Sequence, residues 1–558
     1  MIKYWYKILI SKNERNDEMN NLKKVIENLM KVFAILFALF FFVVLLNTIF
    51  FNRTTHINYS VSKMLILPII LYIFLFSIYK IYKKHMIKKK TKDLQKKNWI
   101  IYLIFMVIIL ILQIVFAKFT YAKCGWDCGI VMESGYNLAM GNKIETEYFA
   151  RCPNNIGMLL IVKYIVQFLK LFGSVTLENA YFYTIVFNII IVDISAILTF
   201  KTCKQIYNSS YKYISLLFII PLITFIPYII IPYTDTISMV FPILIFYNYI
   251  TIKKEENNKK KNILIFLEGF LTIIGYYIKP TIVIVTIAIC IMEFLRYKNS
   301  NIKNIAKTVG MFILGFVVSY IIYLGIVEIN LGQLISKEDY EKNAMPMTHF
   351  MKMGLKETES NTDLPVKNTI MYGSFNVPDV ESTVFNVGKE EKIQENLETV
   401  KQRLKDYGKL GYIKFLYNKC NWILSDGTFF FGQEGGFWPE GHYMNTKEAI
   451  YIQEFLNNRS LKFINITANI FQTLWILIFI GLACSYINKQ EDNTILVAKL
   501  TIIGIIMFLL LFEGRSRYVV NHMPFFIIVG IYGLKNSFDI LMNLFNKVSI
   551  HKLYNSKR

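Results

Sequence analysis

The sequence predicts an all-α polytopic membrane protein of about twelve crossings, with a small mixed α/β extracytoplasmic domain. Three observations predict it. Of 558 residues, 54% are hydrophobic and the mean hydropathy is +0.40, a composition that soluble domains rarely show. Apolar runs of about 20 residues recur, long enough to cross the hydrocarbon core as helices. The net charge of +23 sits in short lysine runs between those apolar segments. That is a positive-inside pattern that also suits anionic lipid, and it argues against nucleic acid as the partner. An aromatic content of 16% fits interfacial girdles.

Taken in order, residues 1–30 are polar and basic and are expected in the cytoplasm. The first apolar run begins near Val32 and is long enough to stay as an anchor. Runs 33–51 and 64–82 are the first two crossings, and "KKHMIKKKTKDLQKK" (83–97) is a strong inside signal. Residues 99–117 cross outward, so "FAKFTYAKCGWDCGIVMESGYNLAMGN" (116–142) emerges on the outer face. Basic connections at 201–212, 253–261, 296–307 and the tail 551–558 are placed inside. Segments 230–236, 276–281, 513–518 and the long stretch 329–462 then fall outside.

Between the first outer loop and 201–212 lie two apolar segments where parity allows one full crossing. Residues 156–172 carry Lys163 and Lys170 in an amphipathic pattern and are read as interfacial or half-crossing. The chain thus divides at 1–98, 99–328 with its first outer loop at 118–155, 329–462, 463–541 and a cytoplasmic tail at 542–558.

Charges at the edge of a bilayer are costly and point to function. Asp127, Asp235, Lys279, Glu513, Arg515 and Arg517 all fall at outer helix ends or short outer loops, and His349, Asp426 and Glu434 fall in 329–462. Fixed cations there can hold the phosphate of a lipid carrier, with arginine as a fork and lysine as a point charge. A carboxylate beside them can take the proton of an attacking hydroxyl or amine. Simpler readings stand beside these. Asp235 in "PYTDT" also reads as a helix cap, Lys279 as a snorkelling side chain, and Arg515 and Arg517 as surface partners of Glu513. His349 also reads as a packing residue and Glu434 as part of a glycine-rich turn. Asp193 is the one clear mid-helix acid, whereas Glu268 and Glu293 lie near inner helix ends and are expected to be solvated.

Seven cysteines include Cys124, Cys128 and Cys152 in one loop region, and no C-x-x-C pair occurs. That argues against a zinc finger or thioredoxin-type site. Cys124 or Cys128 bridged to Cys152 would leave one thiol unpaired, and two thiols plus Asp127 without histidine make a poor zinc set.

The elements "WDCGIVMESGYNLAMGN…YFARCPNNIG", "PYTDT", "GYYIKPT", "THFMKMGL", "DGTFFFGQEGGFW" and "EGRSRY" occur in that order. Together they resemble the GT-C superfamily of integral-membrane glycosyltransferases, nearest the protein O-mannosyltransferase and aminoarabinose-transferase branch. The likeness runs from about residue 99 to 541. It implies a GT-C-like helical bundle in the cell membrane with an extracytoplasmic active face. The implied donor is a polyprenyl-phosphate-linked sugar, the acceptor an envelope glycopolymer, lipid or protein, and the expected outcome is inversion at the anomeric carbon. By the resemblance Asp127 is the catalytic base, and Lys279, Arg515 and Arg517 lie near the donor phosphate. Trp126, Tyr148, Asn154, Asn155, Asp235, His349, Glu434 and Glu513 are further substrate-site candidates. Some superfamily members use a divalent cation and others do not, and no clear metal-ligand spacing is present here. The chain departs from the pattern at Cys152, where tyrosine is usual, and lacks the second acid of "GWDCG", for which Glu133 is a weak substitute. Two other readings are carried: a flippase or transporter of polyprenyl-linked glycans, and a non-catalytic envelope-assembly protein.

Overall fold

The computed structural model describes residues 12–51, 57–86, 98–207, 211–296, 302–359, 370–386, 388–432, 439–486 and 493–555. The fold is that of an all-α polytopic membrane protein. Among the described residues ten helices are long and apolar enough to cross a membrane, and the apolar segments Ile104–Thr120, part of a longer helix, and Pro280–Leu295 stand where further crossings were expected.

The chain opens with α1 (Lys12–Phe50), α2 (Val61–Met86) and α3 (Asn98–Thr120). Next come a short strand β1 (Ala122–Cys124), α4 (Trp126–Met140), α5 (Thr146–Arg151) and a 3-10 turn at Pro153–Asn155. They lead into α6 (Ile156–Lys170) and the long α7 (Leu177–Ile206). At 15 residues α6 reaches about 22 Å, short of the roughly 30 Å hydrocarbon core. It buries Met158, Leu159, Val162 and Val166 along one face and leaves Phe168 exposed, in keeping with its amphipathic sequence.

Proline decides where the following helices break. α8 (Tyr211–Ile219) passes into a π turn at Ile220–Thr224, which contains Pro221, and then a 3-10 turn at Pro227–Ile230. After Pro232 the chain restarts as α9 (Thr234–Ile237) and α10 (Val240–Lys254). α11 (Asn258–Ile278) stops because Pro280 cannot continue its ladder; Lys279 before it is extended, with φ −155° and ψ 117°. A 3-10 turn at Pro280–Ile282 leads into α12 (Val283–Arg296). α13 (Ile302–Leu331) packs chiefly on α11. There a Cβ on Gly269 would lie 2.1 Å from the Phe312 carbonyl oxygen, so only small residues allow the approach.

The stretch expected to be mixed α/β is mostly helical: α14 (Lys337–Asn343), α15 (Met347–Met353), α16 (Val377–Phe385), α17 (Lys389–Leu424) and α18 (Lys447–Gln453). Its strand content is small. β2 (Glu357–Glu359) pairs with β3 (Ile370–Tyr372), and β4 (Pro439–His442) pairs with β1 far back in the chain. Nor does it form a separate layer throughout. α17 kinks at Gly408 (φ 59°), and its second half runs against α1 and α20, burying Phe415, Trp422, Ile423 and Leu424. The chain ends with α19 (Ala468–Ala483), α20 (Asn493–Leu511), a 3-10 turn at Ser516–His522 and α21 (Met523–Asn555). Aromatic contacts from Phe41 to Phe479 (5.9 Å) and Phe526 (6.3 Å) fasten α1 to this terminal pair.

Candidate active site

Asp127 is the second residue of α4, where the helix dipole favours negative charge. Its turn is tight: a Cβ on Gly129 would lie 2.4 Å from the Cys124 carbonyl oxygen, so the helix descends directly onto the end of β1. The chain reverses through Trp126, whose φ of 56° is unfavourable for a bulky residue, and which is 63% exposed. β4 closes the other side of the turn through its pairing with β1.

A directed chain of donors ends on Asp127. The Tyr233 hydroxyl donates to Asn155 Oδ1 at 2.9 Å, Asn155 Nδ2 to the Tyr148 hydroxyl at 2.6 Å, and that hydroxyl to Asp127 Oδ1 at 2.8 Å. Asn155 and Tyr148 are buried while Asp127 is half-buried. Burial, together with the neighbouring Tyr233 and Asp127, pushes the Tyr148 phenol well up, so it stays a donor. One tyrosine hydroxyl, itself oriented by Asn155 and Tyr233, therefore fixes one carboxylate oxygen of Asp127. Asn154 is exposed and donates to Asn155 Oδ1 at 3.3 Å.

Two residues beyond Tyr233 stands Asp235, which is buried and holds two cations. It pairs with Lys279 by a short hydrogen bond and with Arg517 Nε at 3.6 Å. Each of these charges lies at or beside a helix break: Asp235 in the first turn of α9 after Pro232, Lys279 before Pro280, Arg517 in the 3-10 turn after α20. Glu513 accepts from Arg515 Nε at 3.2 Å and from the Tyr518 hydroxyl at 3.1 Å. The Tyr518 ring has Lys279 Nζ 4.9 Å from its centroid and Arg517 Cζ 5.2 Å from it.

Asp235 is thus the centre of a buried ion triad; no helix-capping bond is made by it or by Tyr233 before it. Lys279 does not snorkel, and the Arg515–Glu513 pair is buried, with side chains 7% and 11% exposed.

The other expected residues lie elsewhere. His349 is buried in the polar stretch, with Nδ1 2.9 Å from Thr383 Oγ1. Burial and the nearby Lys352 push its imidazole down to about 4, so it packs as a neutral ring. Glu434 lies outside the described residues. Asp426 accepts from the Tyr59 hydroxyl at 2.9 Å and from the Thr428 and Phe430 amides, bracing a turn in which Phe429 and Phe430 both have φ 56°. Glu133 pairs with Lys123 at 2.7 Å near the surface. Asp193 accepts from Gln113 at 3.1 Å, and the same amide reaches the Thr224 carbonyl at the π turn.

Cys124 and Cys128 are buried and Cys152 is half-buried, all as free thiols. Burial, with Asp127 nearby, pushes Cys152 up to about 12, which makes it a poor nucleophile or metal ligand. Among the described residues no group of three or more His, Cys, Asp or Glu side chains gathers as a metal set. Asp235 is engaged by cations and Asp127 has tyrosine and asparagine for company. These residues do not fit a divalent cation.

A model of one family spans residues 19–538. The chain belongs to that family, described as conserved hypothetical integral membrane proteins. Every residue of the Asp127 and Asp235 clusters lies within the matched span. Comparison with curated proteins and with solved structures found no match.

Sequence reasoning passed over Tyr233 and Tyr518, although both stand inside quoted elements, "PYTDT" and "EGRSRY". It also missed an apolar cavity of about 580 Å³ between α6, α7, α11 and α13. Gly157, Phe168, Tyr183, Tyr277, Ile278 and Tyr323 are among its lining residues. Gly157 follows Asn155 by two positions and Ile278 precedes Lys279, so the cavity lining adjoins both polar clusters along the chain. Exposed Phe168 and Tyr183 place its side opening on the apolar surface of the bundle.

Proposed function

We propose that this protein is a glycosyltransferase that moves a sugar from a polyprenyl-phosphate donor to an envelope acceptor. One observation carries the reading: an oriented, half-buried carboxylate is linked through Tyr148, Asn155 and Tyr233 to the segment whose Asp235 holds two buried cations, and an apolar cavity is lined by close chain neighbours of both clusters. The cavity suits an isoprenoid tail, the cations suit its phosphate, and the carboxylate suits the acceptor.

The chemistry balances without another reactant. An acceptor oxygen or nitrogen attacks the anomeric carbon while Asp127 Oδ2 takes its proton. The bond from that carbon to the phosphate oxygen breaks, and the electron pair leaves on the polyprenyl phosphate. Attack opposite the leaving group inverts the centre. Negative charge grows on the phosphate, so preorganised cations stabilise the transition state more than the ground state. Lys279, Arg515 and Arg517 carry as many formal charges as Asp127, Asp235 and Glu513. The cluster is therefore balanced without ligand, and the arriving phosphate takes over donors that Asp235 and Glu513 hold at rest.

A second reading, carriage of a lipid-linked glycan, is favoured by the helix breaks and by the Asp193–Gln113 contact inside the bundle. Protein in lipid nanodiscs, offered a panel of polyprenyl-phosphate sugars with candidate acceptors, separates the two. The first reading expects sugar transfer that Asp127→Asn lowers by about 10²–10⁴-fold. Movement of lipid-linked glycan across vesicles without sugar transfer would replace it with the second.

A further inference from the structure

The segment carrying Arg515 and Arg517 is held by a lysine that belongs to neither polar cluster. Lys419, in the second half of α17, is fully buried. Its ammonium donates to the carbonyls of Gly354 at 2.7 Å, Leu510 at 3.1 Å and Phe512 at 2.6 Å. An ammonium has three N–H groups, and all three are spent. Leu510 lies in the last turn of α20 and Phe512 just beyond it, so these are carbonyls that a helix end leaves without partners. A cation there also meets the negative end of the helix dipole.

The same lysine gathers chain from the polar stretch. Gly354 ends α15, and Gly373 follows β3 with φ 65°. A Cβ on Gly373 would lie 2.5 Å from Lys419 Cε, and one on Gly514 would lie 3.2 Å from it. The Gly514 amide donates to the Gly373 carbonyl at 2.8 Å. Two residues later, the Phe375 ring has Arg515 Cζ 5.7 Å from its centroid. Lys419 is therefore the point where α20, α15 and the β3–α16 turn meet, one residue before the Glu513–Arg517 turn begins.

We infer that Lys419 is a positioning residue: by clamping the end of α20 to segments 354 and 373–375, it sets where Arg515 and Arg517 stand in the phosphate site. The inference rests on the proposed function only in giving those arginines a phosphate to hold. Lys419 itself touches no substrate and acts through the turn.

The test uses full-length protein in nanodiscs, with Lys419→Met, which keeps the length and removes the donors. Two readouts are taken: hydrogen exchange across 510–518 and 370–376, and affinity for added polyprenyl phosphate. Exchange is expected to rise in those two stretches with little change along the α11–α13 pair, and affinity to fall about tenfold. Unchanged exchange at 510–518, or unchanged affinity where the wild type binds, overturns the inference. If the wild type binds no polyprenyl phosphate, the proposed function fails, while the exchange result still decides whether Lys419 sets the turn. Should Lys419→Met not fold, Gly373→Ala decides, because its new methyl would lie 2.5 Å from Lys419 Cε and 2.6 Å from both its Nζ and the Gly354 carbonyl oxygen, pressing on the clamp itself. The same two stretches are then expected to loosen, and no change there overturns the inference.

Discussion

Asp127 and Asp235 are both carboxylates at the start of short or broken helices, yet their surroundings assign them opposite work. Asp127 is half-buried and accepts one tyrosine hydrogen bond. Asp235 is buried and holds two cations in place. Asp127→Asn is therefore expected to change unfolding stability by no more than about 1 kcal/mol while removing transfer. Asp235→Asn is expected to destabilise by about 3–5 kcal/mol, because it leaves Lys279 and Arg517 buried without their partner. Thermal unfolding of both variants in the same lipid checks the contrast, and equal destabilisation would contradict it. Tyr148→Phe should lower kcat about tenfold to a hundredfold with donor affinity unchanged, since the carboxylate stays but loses its orientation. At this scale the sequence was only partly legible. It singled out both aspartates, but Asp235 is joined to Lys279 across 44 positions and to Arg517 across far more, and no spacing rule spans such gaps. His349 was singled out as a lone histidine, whereas its meaning depends on Thr383 and Lys352, which pattern alone does not bring beside it.

Elements explain why the charges meet. Pro221, Pro227, Pro232 and Pro280 stop regular helix where a regular helix would have kept Asp235 and Lys279 on separate cylinders, and those prolines are plain in the sequence. Less legible was the helical character of 329–462, whose short polar segments gave little periodicity. There Asp379 links α16 to α17 through a fork from Arg403, at 2.6 and 2.9 Å. Burial opposes the Asp379 charge, but the Arg403 hydrogen bonds and charge, with Asn376 and Lys356, outweigh it and hold the carboxyl below its ordinary range. A depressed folded pKa means the unfolded chain binds the proton more readily. This stabilisation is therefore present above the ordinary carboxylate pKa of about 3.9 and is lost as pH falls through the lower folded value. Hydrogen exchange of α15–α17 should accelerate between about pH 5 and about pH 3 beyond the intrinsic trend, and Arg403→Met should flatten that dependence. A wild-type profile that follows the intrinsic trend alone would contradict it.

For the whole molecule, hydropathy was a reliable guide because each crossing is a local property of about 20 residues. The described helices follow the expected order, and α3, at 23 residues, is as long as the crossing expected there. The topology expected from charge put Asp127, Asp235, Lys279 and Arg517 on one side of the membrane, but the pairing of Asp235 with Lys279 and Arg517 is a property of packing that hydropathy does not give. The cavity between α6, α7, α11 and α13 had no sequence signal, since its lining residues read as ordinary apolar helix faces. Which face this end occupies has a direct check. Cys124 and Cys128 are buried, so an exposed position is needed, and Asn154 supplies it. Asn154→Cys is expected to react with a membrane-impermeant thiol reagent in intact cells; labelling only after permeabilisation would place the site on the cytoplasmic face. The most direct measurement is single-turnover release of polyprenyl phosphate from a bound polyprenyl-phosphate sugar by wild type and Asp127→Asn. The expected result is rapid release with inverted product by the wild type, and retained donor binding without release by the variant. Equal release by both would contradict the role given to Asp127.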